Sequence, residues 1–254
     1  MCLILIAYGA HPEFPLVIAA NRDEYYGRPT ARAAFWQDQP HVLAGRDLEC
    51  MGTWLGVTRT GRFAALTNFR DPRERKTDAP SRGLLVSDFL ASDQDPRGYL
   101  GSVAVDAPRY NGFNLLAGDV DGVFFFSSRT GSVQQLSPGF HGLSNHLLDT
   151  PWPKVVRGKR RLQEALTGEF DSEALLDLLH DRDPAPESEL PDTGVGADLE
   201  RVLSPALIVS PQYGTRASTA VMFGDDGSVS FTERTILAGG NTGPTVSLRF
   251  ILER

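Results

Sequence analysis

The chain has 254 residues, 41% of them hydrophobic, and a formal net charge of −7. That length and apolar content suffice for a sizeable core, in one large domain or two small ones, and the acidic balance argues against a general nucleic-acid or anionic-membrane binder. Cys2 and Cys50 are the two cysteines, too few for a disulfide framework or a Cys-rich zinc site, and no stretch approaches the roughly twenty apolar residues of a membrane span. The N-terminal apolar run also lacks the basic region and cleavage site of a signal peptide, so a soluble protein of a reducing, cytoplasmic compartment is expected.

The first two elements are apolar runs, Cys2 to Tyr8 and Pro15 to Ala20, the second ending in Asn21-Arg22-Asp23-Glu24. Rich in Ile, Val and Leu and bounded by Gly9 and Pro15, they read as strands, and their near-continuous hydrophobicity marks strands covered on both faces. A hairpin turn centred near Pro12 makes opposing residues sum to about 24, which sets Cys2 opposite Arg22. Residues 25–30 read as a loop, Val42 to Asp47 as a short strand, and Gly52 to Thr58 with Arg62 to Phe69 as a second hairpin. A charged loop, Arg70 to Lys76, follows. Ser81 is the expected N-cap of a helix carrying Leu84, Leu85, Val86, Phe89 and Leu90.

Three further strands are expected at Phe113 to Ala117, Gly122 to Phe126 and Ser132 to Leu136, separated by Asp121-Gly122 and Thr130-Gly131 turns. His141 to Asn145 reads as a polar corner, and Pro151-Trp152-Pro153 as the start of a helix from about Lys154 to Leu166. A second helix covers Ser172 to His180. The stretch Asp181 to Glu200, rich in Pro, Asp, Glu and Gly, reads as a mobile, solvated loop, with a lid over a cleft as a bolder reading. Strands return at Ala206 to Val209, Ser218 to Phe223, Val229 to Thr232 and Val246 to Ile251. Hairpins dominate, without strand–helix alternation, repeat or linker. One α+β domain over residues 1–254 is therefore expected, with antiparallel sheets packed together and covered by helices.

The chemistry concentrates at the first hairpin. Removal of Met1 would put a thiol and a free α-amine on Cys2, and a terminal amine can act as the general base for its own side chain. A guanidinium beside the thiol favours the thiolate and a carboxylate orients the ammonium; Arg22 and Asp23 supply both.

The tetrad Asn21-Arg22-Asp23-Glu24 after Met1-Cys2 resembles the NRDE family, also called the transport and Golgi organization protein 2 family. The likeness continues through Leu43-Ala44-Gly45-Arg46-Asp47, Gly52-Thr53-Trp54-Leu55-Gly56, Ala65-Leu66-Thr67-Asn68, Ser81-Arg82-Gly83, Tyr110 to Leu115, Gly142-Leu143-Ser144-Asn145, Pro151-Trp152-Pro153-Lys154 and Tyr213 to Thr219. Met51 departs from it, standing where glycine is expected. A looser resemblance links the family to N-terminal-nucleophile hydrolases of the choloylglycine hydrolase and penicillin V acylase type. It implies a four-layer αββα fold and roles for Cys2, for Asp23 with Arg22 or a substitute, for Asn145 as oxyanion donor and for Arg216. The hydrolases place an arginine three residues before the aspartate, where this chain has Ala20, and Arg46 is an alternative source of that charge.

Two functions follow. One is an amidohydrolase or acyltransferase acting on a C–N amide bond through an acyl-Cys2 intermediate, with Arg216 neutralising a carboxylate or bracing Cys2. The other is a non-catalytic binding or trafficking protein for a lipid, a hydrophobic metabolite or haem, in keeping with the secretory, lipid and haem roles of eukaryotic relatives. Asn21, Arg22, Arg46, Asp47 and Asn68 are supporting candidates, and Cys50 reads as a packed or partly exposed thiol. No cofactor and no metal are expected, since no histidine pair has zinc spacing; His141 and His146, in one loop, are the candidates for haem. The partner is a small-molecule substrate or hydrophobic ligand, and exposed edge strands would allow a homodimer.

Overall fold

The computed structural model of the chain describes residues 2–74 and 76–253; Met1, and with it the expectation about its removal, lies outside them. In order, the elements are β1 (Cys2–Tyr8), β2 (Leu16–Tyr25), β3 (Thr30–Phe35), β4 (Val42–Asp47), β5 (Leu55–Thr58), β6 (Phe63–Asn68), α1 (Gly83–Ala91), α2 (Pro96–Asp106), β7 (Phe113–Gly118), β8 (Val123–Ser127), β9 (Val133–Gln135), β10 (Gly139–Leu143), α3 (Pro153–Ala165), α4 (Ser172–Leu178), α5 (Ala197–Val202), β11 (Tyr213–Phe223), β12 (Ser228–Ile236) and β13 (Thr242–Ile251). One antiparallel sheet has the order β10-β1-β2-β11-β12-β13, the other β3-β4-β5-β6-β7-β8-β9.

The period of two along each strand sorts the core into three layers. Ile4, Ile6, Ile18 and Val221 of the first sheet meet Leu43, Val57, Phe63 and Leu116 of the second. The alternate residues Leu3, Leu5, Val17 and Ala19 face Val155 and Leu162 of α3 and Leu175 and Leu176 of α4. On the outer face of the second sheet, Val42, Ala64 and Phe126 pack on Leu85, Phe89, Leu100 and Val103 of α1 and α2. The result is the expected α+β fold, four layers in the order αββα. Strand β1 and the first half of β2, Leu16 to Ala20, are apolar because both of their faces are dry, and each fully buried Leu or Ile there is worth about 1.5–3 kcal/mol. Gly158 lets α3 approach β1 closely, since a Cβ there would lie 2.8 Å from Leu5 Cδ1.

The first hairpin has the register read from its turn, with Cys2 opposite Arg22 and Leu5 opposite Ala19. Other local readings need correction. Ser81 does not cap α1, whose first residue is Gly83 and whose N-cap position is Arg82, without a capping side chain. Helix α2 has no counterpart among the predicted elements, although Asp95 caps it by accepting from Gly98 N (2.8 Å) and Pro96 occupies its first turn. Residues 206–209 form no ladder and contribute a single bridge, Val209 to Gly214. The acidic stretch 181–200 is largely exposed, as expected, but its two ends are not: Asp181 and Glu200 are buried, and α5 starts within it. The reason is charge neutralisation, since Glu200 pairs with the buried Arg70 at 2.6 Å and Asp181 lies 3.7 and 3.6 Å from Arg157 and Arg161.

Candidate active site

The two sheets separate at the end where β1 begins and β2 finishes, and the gap is a cleft of about 1040 Å3. Cys2, Arg22, Asp23, Arg46, Asn68 and Arg216 line it, whereas Ser144 and Asn145 are not among its lining residues. Within the first sheet, Cys2, Arg22 and Ala217 form one row, because β2 pairs with β1 on one side and β11 on the other. Cys2 and Arg22 are in phase with Ile4 and Ile18 and so face the gap between the sheets. Asp23, out of phase, lies on the helix-covered side, with its carboxylate accepting from Thr215 Oγ1 at 2.7 Å. Its carbonyl accepts from Tyr213 Oη at 3.0 Å.

Cys2 is nearly buried. Burial pushes its thiol above the ordinary range and the Asp23 charge adds to this, while the Asp23 backbone N–H and the Arg22 guanidinium pull it back down. Its carbonyl accepts from Ser144 Oγ at 3.1 Å. Burial likewise raises the Asp23 carboxyl, opposed by the charges of Lys154 and Arg70 and by the Thr215 hydroxyl. Among the described residues Arg22 has no hydrogen-bond or ion-pair partner, and it lines the cleft.

The remaining candidates are placed less directly. Asn21 is fully buried beneath the site, donating to Leu179 O and Ala206 O (3.0 and 2.9 Å) and accepting from Ser218 Oγ (2.6 Å). Asn145 is also fully buried, with Nδ2 donating to the Asn68 carbonyl at 2.9 Å. Arg216 is the extra residue of a bulge between Thr215 and Ala217. Its guanidinium donates to Tyr25 O (2.7 Å), Arg28 O (3.1 Å) and Thr30 Oγ1 (3.4 Å), all neutral acceptors at the cleft wall. Arg46 is in phase with Val42 and Ala44, the outer-facing residues of β4; it stacks on Trp36 at 4.2 Å and pairs with Asp38 at 2.6 Å, turned from Cys2. Asp47 pairs with Arg28 at 2.7 Å, and Cys50 accepts a long 3.5 Å contact from the same guanidinium.

His141 uses both ring nitrogens, towards Asp149 Oδ2 and Ser137 O, each at 2.8 Å. His146 is stacked between Phe69 and Trp152 with its Nδ1 on Thr150. Among the described residues no group of three metal-ligating side chains forms.

Several residues at the site were not singled out from sequence. Lys154 is 3% exposed, its Nζ donating to Leu203 O at 2.9 Å; burial pushes its ammonium down to about 8 against the pull of the Asp23 charge. Arg70 and Glu200 form a buried ion pair beside it, and Arg82, on the opposite wall, is held by Gly112 O at 3.0 Å. Lys154 and Thr215 lie inside motifs already noted for their residue pattern, and Arg70 comes two residues after Asn68. Glu200 carries no local signal at all.

Two antiparallel sheets packed together and covered by helices, an αββα sandwich, make the N-terminal-nucleophile hydrolase fold. A solved structure with this architecture, a mutant of the conjugated bile acid hydrolase from Clostridium perfringens, superposes with a TM-score of 0.52, covering 98% of this chain and 92% of that one at 10% identity. The chain belongs to the Transport and Golgi organisation 2 family, whose pattern matches residues 1–238. The Bos taurus Transport and Golgi organization protein 2 homolog is 39% identical over 265 residues, with 95% of each chain covered. The Drosophila melanogaster Transport and Golgi organization protein 2 is 28% identical, covering 93% of this chain and 92% of its own. No helix among the described residues is long and apolar enough to cross a membrane.

Proposed function

We propose that this protein is an amidohydrolase of non-peptide C–N bonds in which Cys2, as the first residue of the mature chain, is the nucleophile. The observation that carries this reading is the placement of Cys2, in register with Arg22 and with its sulfur on the Asp23 N–H, in the wall of a cleft large enough for a small-molecule substrate. The fold, shared with a conjugated bile acid hydrolase, is compatible with it. In the first half-reaction the sulfur attacks the amide carbon. A C–S bond forms, the C–N bond breaks, and the thiol proton passes through the α-amine of Cys2 to the departing amine. Water then attacks the thioester; a C–O bond forms, C–S breaks, and a proton returns to sulfur through the same amine.

Asp23, fixed by Thr215, orients that amine and stabilises the ammonium it becomes on taking the thiol proton. Arg22 favours the thiolate, and the bulged Arg216 adds positive potential at the cleft wall. Asn145 is assigned the oxyanion, using the second N–H of its amide, the first being committed to Asn68 O. Asn21 braces β2 from beneath and Asn68 borders the substrate path. The protein is placed in the cytoplasm, where both thiols stay reduced.

N-terminal sequencing and intact mass of the purified protein, with alkylation of Cys2 and Cys50 by iodoacetamide followed peptide by peptide, test the reading. A free Cys2 terminus that alkylates faster than Cys50 is expected, with loss of amide turnover in Cys2→Ala. Retained Met1, or a Cys2 no more reactive than Cys50, would overturn it; ligand binding that survives Cys2→Ala without turnover would favour a carrier.

A further inference from the structure

The strap that carries α5 is tied to Cys2 by a continuous series of polar contacts. Glu200, 2% exposed, accepts from Arg70 Nη1 at 2.6 Å and from Thr193 N at 2.8 Å. Arg70 in turn donates through Nη2 to Asn145 Oδ1 (3.5 Å) and through its backbone N–H to Asn145 O (2.8 Å), with its guanidinium over the Trp152 ring at 4.9 Å. Ser144 Oγ stands 3.3 Å from Asn145 Oδ1 and 3.1 Å from the Cys2 carbonyl. These residues come from four separate parts of the chain and meet under the head of β1.

The Ser144 hydroxyl decides what this series does. It has one proton and two competing acceptors, Asn145 Oδ1 and Cys2 O. A charged donor on Asn145 Oδ1 satisfies that oxygen and leaves the Ser144 proton for the Cys2 carbonyl. Arg70 is that donor, and the carboxylate of Glu200 keeps it in place. Take the Arg70–Glu200 pair away and the hydroxyl turns to Asn145, so Cys2 loses its bond just as it would if Ser144 were absent.

We infer that Glu200, through Arg70 and Asn145, is a positioning residue for Cys2, directing the Ser144 hydroxyl onto the Cys2 carbonyl and so fixing the strand end that carries the thiol. The inference rests on Cys2 being the working residue of the cleft. It gives the buried Arg70–Glu200 pair a role beyond holding α5 down.

The test is the iodoacetamide rate at Cys2 in the full chain, with Cys50 as the internal reference. Ser144→Ala removes one neutral hydrogen bond from the strand end, and the freed thiol is expected to alkylate about fivefold faster. The double variant R70M/E200M removes both buried charges together, avoiding an orphan ion, and is expected to give the same factor. The triple variant, with Ser144→Ala added, is expected to show that factor once, not squared. A wild-type Cys2 rate in R70M/E200M, or a triple variant that reaches the product of the two effects, overturns the inference. Where the double variant does not fold, Glu200→Gln keeps the volume and removes the charge; an unchanged Cys2 rate there overturns it equally. Failure of the proposed reaction shows separately, as a wild-type Cys2 no faster than Cys50, whereas failure of this inference leaves that comparison intact and shows among the variants.

Discussion

Replacing Lys154 by methionine should make the stability of the protein respond to pH in a defined direction. The ammonium is 3% exposed with its Nζ on Leu203 O, and burial brings it down to about 8. An unfolded lysine titrates near 10.4, and the gap corresponds to about 3 kcal/mol. The folded value is the depressed one. Below about pH 8 both states hold the proton and the native state carries the cost of the buried charge. Between 8 and 10.4 the unfolded chain still holds a proton that the native chain has released, so Lys154 contributes stability that grows as pH rises and is lost as pH falls through 8. Urea unfolding of wild type and Lys154→Met at about pH 7 and pH 10 reads this, because groups common to both proteins cancel. The difference in unfolding free energy should move towards wild type by about 2–3 kcal/mol over that range. A difference that stays flat within about 0.5 kcal/mol would show that Lys154 is not a buried ammonium beside Asp23, and would refute the electrostatic account of the site.

Thr215 bridges Asp23 Oδ1 and Ile208 N, so the isosteric Thr215→Val loses a charge-assisted bond and strands a buried N–H. Its expected cost is about 3–5 kcal/mol by urea unfolding, against about 1 for Thr215→Ser, and near-equal costs would contradict the assignment. Met51 holds φ 61°, the left-handed region, so Met51→Gly should raise stability by about 1 kcal/mol and the melting temperature by about 2–4 °C; a lowered melting temperature would count against strain there. The Asp149 carboxylate raises the His141 imidazole above its ordinary value, so His141 contributes stability that is full below about 6.5 and lost as pH rises through the higher folded value. In Asp149→Asn that fall between about pH 6 and 8 should disappear from the unfolding free energy, and its persistence would assign it elsewhere.

The most legible part of this protein was the first hairpin. Two apolar runs and one turn were enough to set Cys2 opposite Arg22, because a register in a strand buried on both faces cannot slip by one residue without exposing its core. The same period of two separates the neighbouring Arg22 and Asp23 onto opposite faces. It also turns Arg46 outward with Val42 and Ala44 onto Trp36, which is why the second Arg-Asp pair does not bring its arginine to the thiol. Met51, noted from sequence as standing where glycine is expected, takes a positive φ, the conformation that favours glycine.

What stayed hidden was long-range neutralisation. Arg70 lies in a run of charged residues and Glu200 in an acidic, proline-rich stretch, and local composition assigns both to solvent. They are 130 residues apart, and each offsets the cost of the other's buried charge. Local pattern cannot report such a pair, since neither partner alters the periodicity or capping of its own segment. Lys154 marks the boundary of what could be read: the prolines around Trp152 gave the start of α3, but a lysine in a helix's first turn sits at the positive end of the dipole and gains nothing there. Its burial at that position requires anions from elsewhere in the fold, and among them the Asp23 charge pulls hardest on the ammonium. The tetrad that opens the family pattern is therefore half of an arrangement completed by Arg70, Lys154, Glu200 and Thr215, residues brought in by the second sheet, the helix layer and the returning strand β11.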